Sequence, residues 1–325
     1  MKLTLNQIQS VTKGAVRVEE KNDTIQFYRF SKEQEELYRL RDSELYQKTF
    51  SSAGVRLEFV TDSTHLGLSV SVSPGCSRIF FNIEIFANGK KVGELGSLSA
   101  NSGAFSGAFS LDEGEKTVCV YLPWSVQLRL NELTLDDGAS LRPVKKKRKM
   151  LLYGDSITHG YDAIHPSRSY ASKLTDALDA EGFNKAIGAE VFWRALAETS
   201  DEIAPDIITV AYGTNDWSKQ TKEDFEAECA AFYEALSRRN PQAKIFAITP
   251  IWRADRDRVT KVGAFEDVAT YIRKVTASLP NVTVIDGVSL LPHDTTLFSD
   301  VYLHPNDKGF GYYFENLYRE IQKYL

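Results

Sequence analysis

Disulfide chemistry is the first thing this sequence lacks. Only three cysteines occur, Cys76, Cys119 and Cys229, odd in number and widely spaced. That pattern excludes a disulfide framework and a cysteine-based zinc site, and it points to reduced thiols in a reducing compartment. Long apolar runs are missing too. No stretch reaches the about 18 apolar residues that read as a transmembrane helix, so no membrane partner is expected. Met1–Ala15 is polar and has neither the apolar region nor the cleavage site of a secretory signal. A cytoplasmic protein is the expectation from these three absences. Excess positive charge is absent as well. The formal net charge is −5, which does not suggest a nucleic-acid-binding surface. Internal repeats and low-complexity segments are not found.

What remains is an ordinary globular composition, 42% hydrophobic and 26% charged. A chain of 325 residues is too long for one typical core and suits two domains. The first part reads as β. Val55, Leu57 and Phe59 alternate with polar residues, as do Leu66, Leu68, Val70 and Val72. Ile83 and Ile85 lead into Asn88-Gly89, a hairpin signal. Two further alternating runs are Val118–Leu122 and Val126–Leu130. One-sided patterns of this kind suit antiparallel sheets packed face to face, a β-sandwich of jelly-roll type. One short helix, Ser31 to Leu40, interrupts them, with Ser31 as its cap.

Lys145-Lys146-Lys147-Arg148-Lys149 is the single charge run. It reads either as a nucleic-acid or targeting patch or, more plainly, as a solvated connector. The patterning changes here, so the domains are placed at 1–144 and 145–325. From Met150 onward, strand-like runs at 150–152, 207–212, 245–249 and 282–286 alternate with helical patterns. That alternation predicts an α/β fold, a parallel sheet with helices on both faces, carrying its chemistry in loops at the C-terminal strand ends.

Four patches fall in such places. They are Gly154-Asp155-Ser156, Asn184-Lys185-Ala186-Ile187-Gly188-Ala189, Gly213-Thr214-Asn215-Asp216 and Asp300-Val301-Tyr302-Leu303-His304. Their order and context resemble the SGNH (GDSL-type) hydrolase family over roughly Met150 to Leu325. The resemblance implies a flavodoxin-like three-layer α/β/α domain and a serine ester hydrolase. A serine hydroxyl is a poor nucleophile until a base takes its proton. Ser156 is the candidate nucleophile and His304 the candidate base. For the oxyanion hole, the resemblance implies the Ser156 N–H, a backbone N–H of Gly188 or Ala189, and the Asn215 amide. Ala189 stands where the family has glycine. Asp300 lies four residues before His304 where the family has three. Either Asp300 or a backbone carbonyl can then orient the imidazole. Neither a metal nor an organic cofactor is called for.

Taken singly, each patch also has a plain structural reading. Ser156 can be a helix cap, Asn215 and Asp216 turn residues, Asp155 a loop brace and His304 a satisfied surface histidine. Trp217, Trp252 and Tyr302, with Asp216 and Arg253 beside them, are the candidates for substrate contact. Aromatic faces beside charged groups suit sugar rings, although Trp193 and Trp217 can equally be core. A β-sandwich ahead of such a hydrolase is similar in layout to carbohydrate esterase family 2. That likeness implies an O-acetylesterase acting on an oligosaccharide or small-molecule ester. A thioesterase or small-molecule esterase, and a catalytically silent carbohydrate-binding protein, are the rivals. The sandwich is expected to wall the cleft or to form the interface of a homo-oligomer.

Overall fold

The computed structural model describes residues 1–199 and 202–325. Its first half holds two antiparallel sheets. One sheet orders its strands as Thr12–Lys13, Arg56–Thr61, Lys116–Tyr121, Phe81–Ala87 and Lys90–Ser97. The other runs Arg17–Lys21, Thr24–Tyr28, Val126–Leu135, His65–Pro74 and Gly103–Ser110. Alternation along these strands aims one side chain in two at a shared core. Leu66, Leu68, Val70 and Val72 meet Leu57, Phe59, Val118 and Val120 there. Asn88 and Gly89 both take positive φ, 49° and 77°, as a two-residue hairpin of primed type requires.

The second half is a five-stranded parallel sheet in the order Ala180–Asn184, Arg148–Gly154, Ile207–Ala211, Lys244–Ile248, Val282–Ile285. In chain order this is 2-1-3-4-5, the flavodoxin-like winding. Helices Tyr170–Ala177 and Asp307–Gln322 pack on one face. Helices Lys222–Arg239 and Phe265–Thr276 pack on the other. The direction of winding reverses beside Arg148–Gly154, and ligands of such sheets bind at that crevice. Ala180–Asn184 has no strand pattern in its sequence. It pairs on one side only, and the ladder to Arg148–Gly154 overrides its weak propensity. Among the described residues, no helix is long and apolar enough to cross a membrane.

Helix Lys32–Arg41 forms as expected, capped by Ser31 with Gln34 answering in a capping box. Its packing is less expected. Phe30 and Tyr38 join the core of the parallel sheet, where Tyr38 lies 5.1 Å from the Trp193 ring. The charge run is no mere solvated connector either. Lys146 pairs with Glu58 at 2.6 Å, and a strand begins at Arg148.

Candidate active site

The strand Arg148–Gly154 delivers the serine. A Cβ on Gly154 would lie 2.2 Å from the Thr158 hydroxyl, so only glycine lets the chain turn this tightly. Asp155 caps the short helix Ser156–His159 by accepting the Ile157 N–H at 3.0 Å. Its carboxyl is buried, and burial pushes its pKa up to about 6. Asp155 is therefore a loop brace.

Ser156 Oγ lies 2.8 Å from His304 Nε2. His304 Nδ1 lies 2.7 Å from Asp300 Oδ2. The other Asp300 oxygen accepts the N–H groups of Tyr302, Leu303 and His304 at 3.2, 2.8 and 3.0 Å. Partial burial opposes ionisation, but the His304 hydrogen bond and these N–H donors outweigh it. They hold the carboxyl well below the usual range. An ionised Asp300 accepts from Nδ1–H, which leaves Nε2 free to accept from the serine hydroxyl. The four-residue spacing works because Val301 takes a left-handed conformation, φ 61°. That kink, exposed to solvent, absorbs the additional residue and turns the carboxylate back onto the ring.

Three other loops meet this chain of hydrogen bonds. Ala189 also adopts a left-handed φ of 76°. For alanine that conformation costs roughly 1–2 kcal/mol. Its N–H has no acceptor within the protein, among the described residues. Gly188, by contrast, donates its N–H to His159 Nδ1 at 3.2 Å, which corrects its expected place as an oxyanion donor. Asn215 sits in the first turn of helix Thr214–Lys219 and gives one amide hydrogen to Glu190 O at 3.0 Å. Its second amide hydrogen remains to donate.

The expected substrate contacts divide. Trp217 is fully buried, edge-on to Phe265 at 5.1 Å, and its ring N–H donates to Gly263 O. It follows Asn215 by two positions, so its helix aims it into the core, and no sugar can stack on it. Asp216 is equally buried. Its two oxygens accept the N–H groups of Phe192 and Gly213 at 2.9 and 3.0 Å. Burial pushes its carboxyl up to about 7. It clamps two loops and offers nothing to a substrate. Arg253 is buried as well, forked onto Asp255 and bonded to Thr214. Trp252 is half-buried and stacks on His293 at 5.3 Å. Tyr302 alone among these stands exposed beside His304.

Five contributors escaped the sequence reading. Tyr161 stacks on the His304 ring at 5.8 Å. Asp162 lies 3.8 Å from His304 Nδ1 and is held by a two-pronged hydrogen bond from Arg78. Lys48 and Lys219 donate to the carbonyls of Gly188 and Ala189, each at 3.1 Å. Asp162 had one available signal, its place six residues after the serine. Arg78 and Lys48 had none, since both come from the first half of the chain. His159 is buried and braces Ser51, Trp124 and Gly188. Asp162, Asp300 and His304 place potential metal-ligand atoms within 4.8 Å of one another. The Arg78 guanidinium already occupies Asp162, and the imidazole occupies Asp300. The set thus suits proton transfer better than a cation.

Residues 152–311 match the model of the GDSL-like Lipase/Acylhydrolase family, so the second half of the chain carries a GDSL-like lipase/acylhydrolase domain. The protein is thereby placed among the carboxylic-ester hydrolases. Its fold recurs in solved structures over both halves. The salicylyl-acyltransferase SsfX3 from a tetracycline biosynthetic pathway superposes with a TM-score of 0.81 at 22% identity, covering 96% of this chain and 94% of that one. A family two carbohydrate esterase from Cellvibrio japonicus gives 0.69 at 17% identity, with 99% and 97% covered. The acetyl xylan esterase Est2A from the rumen bacterium Butyrivibrio proteoclasticus gives 0.68 at 15% identity, with 99% and 98% covered. A search of curated proteins finds no match.

Proposed function

We propose that this protein is a serine O-acetylesterase acting on acetylated carbohydrates through an acyl-enzyme. The observation that carries the reading is the unbroken chain Ser156–His304–Asp300, at 2.8 and 2.7 Å. Ser156 Oγ attacks the ester carbonyl while its proton passes to His304 Nε2. The oxyanion is met by the N–H groups of Ser156 and Ala189 and by the Asn215 amide. His304 then protonates the sugar oxygen as its bond to the acyl carbon breaks, which releases the sugar hydroxyl and leaves acetyl-Ser156. A water molecule gives its proton to His304 and attacks the acyl carbon; the Oγ–acyl bond breaks, His304 returns the proton to Ser156 Oγ, and acetate is released. Asp300 stays ionised throughout and stabilises the imidazolium. The carbohydrate part of the reading is supported by the likeness of both halves to carbohydrate esterases, and by Tyr302 as an exposed aromatic face beside His304. The three free thiols support a cytoplasmic setting.

A second reading rests on exposed apolar side chains on the loops that carry Arg78, Asp162 and His304. Ile79 follows Arg78, Ile164 follows Asp162 by two positions, and Val301 and Tyr302 lie between Asp300 and His304. Exposed apolar groups on these loops suit transfer of the acyl group to an apolar alcohol in place of water.

Acetate release from a panel of acetylated oligosaccharides, set against aryl acetates and longer acyl esters, tests the proposal. Wild-type protein should favour short acyl groups on sugars, and Ser156→Ala should release no acetate. Activity kept by Ser156→Ala would overturn the nucleophile. Binding of sugar without any turnover would favour a silent receptor, and acylated alcohol as the main product would favour transfer.

A further inference from the structure

The oxyanion segment is a turn with a conformational conflict built into it. Glu190 N–H closes the turn onto Ile187 O at 3.1 Å. Its third residue, Ala189, has φ 76°, whereas Gly188 is not in the left-handed region. This is the type II arrangement, which favours glycine at the third place. Types I and II differ by a flip of the central peptide, here Gly188–Ala189. In a trans peptide the C=O and N–H point opposite ways, so the direction of Gly188 O sets the direction of Ala189 N–H. A flip to type I would return Ala189 to a comfortable φ. It would also turn the Ala189 N–H away from the oxyanion. The alanine thus favours the unproductive orientation.

Lys48 opposes that flip. Its Nζ donates to Gly188 O at 3.1 Å. It projects from the last turn of helix Ser43–Thr49, and its own backbone carbonyl is held by Arg29 at 2.9 Å. Lys219 holds the next carbonyl, Ala189 O, at 3.1 Å. Among the described residues, neither lysine has a carboxylate within ion-pair distance. Their ammonium groups are committed to this turn. A flipped peptide would lose the Lys48 bond and would set an N–H against the ammonium.

We propose that Lys48 is a positioning residue that keeps the Gly188–Ala189 peptide turned so that the Ala189 N–H serves the oxyanion hole. The left-handed strain of alanine is the reason a lysine is required. The inference rests on the serine-esterase reading and gives the first half of the chain a direct part in it.

The test is a cycle of Lys48→Met and Ala189→Gly with an aryl acetate as substrate, with thermal unfolding to verify folding. Lys48→Met should lower kcat by about 10- to 100-fold, below or at the loss of one oxyanion donor, with KM within about twofold. Lys48→Arg should recover most of the rate. In the Ala189→Gly background, where left-handed φ carries no penalty, Lys48→Met should cost about threefold or less. If Lys48→Met does not fold, Lys48→Gln replaces it in the same cycle. An unchanged kcat overturns the proposal, and so does an equal loss in both backgrounds, which would mean that the charge acts without holding the turn. Ser156→Ala is the control. If it stays active, the esterase reading fails. If it is dead while Lys48→Met keeps the wild-type kcat, only the Lys48 assignment fails.

Discussion

Asp300 shows how one backbone angle can rescue an irregular motif. Its spacing from His304 leaves the choice between a carboxylate and a main-chain oxygen open in the sequence. The left-handed Val301 places the carboxylate 2.7 Å from Nδ1. If Asp300 is the triad acid, Asp300→Asn should lower kcat by about 10,000-fold, the scale of the matching change in a serine protease triad. Asparagine can still accept the backbone N–H groups, so the loop should stay folded. Steady-state kinetics with an aryl acetate decides, and a loss under about tenfold would leave Ser156 and His304 to act as a dyad. Trp217 carries the opposite lesson. Its place beside Asn215 suggests a substrate platform, yet the helix that presents the asparagine turns the indole inward.

The stretch from Arg29 to Phe50 is the element that joins the two halves. Arg29 is fully buried without a carboxylate partner among the described residues, and burial lowers its pKa to about 9. Its guanidinium donates to the carbonyls of Lys48, Ser51, Asn184 and Ala186, all between 2.7 and 2.9 Å. It thereby ties helix Ser43–Thr49 to the chain that leads into the turn from Ile187 to Glu190. Arg29→Met fills similar space but leaves these buried carbonyls without donors. The expected result is a loss of about 3 kcal/mol or more in unfolding free energy. Urea denaturation measures it. The rate should fall as well, since Lys48 and the Gly188–Ala189 turn would lose their common anchor.

Across the molecule as a whole, buried acids set the response to pH. Asp155 and Asp216 sit beneath the site with carboxyls pushed up to about 6 and about 7 by burial. The folded state therefore keeps protons that the unfolded chain has already released. Their contribution to stability is complete below about pH 4 and is lost as pH rises through about 6 and 7. Asp300 works in the reverse sense, since its lowered pKa stabilises the fold above its unfolded value and is lost on acidification. Asp155→Asn keeps an acceptor for the Ile157 N–H and removes one of the rising titrations. Between pH 4.5 and 6 its stability should fall less steeply than that of the wild type, by up to about 1.4 kcal/mol per pH unit. Urea midpoints across that range test this, and parallel slopes would refute it. The two halves are also tied by charge, through Arg78–Asp162 and Lys146–Glu58.

Local chemistry makes much of this protein legible in the chain itself. Period-two alternation names the sandwich strands, Asn88-Gly89 names a hairpin, and Ser31 names a helix start. The serine, asparagine and histidine patches are readable because each lies one short loop from a strand or helix with its own pattern. The remainder depends on residues far apart in the chain. Arg78 meets Asp162 across 84 positions, and Lys48 meets Gly188 across 140. No local pattern encodes such pairs, because each residue is by itself an ordinary surface cation. The burial of Trp217 and Asp216, and the left-handed turns at Ala189 and Val301, likewise exist only once packing has set which face of each loop is inside. Side-chain type and short-range periodicity are properties of the chain, whereas burial, peptide orientation and long-range charge pairing are properties of the packed fold.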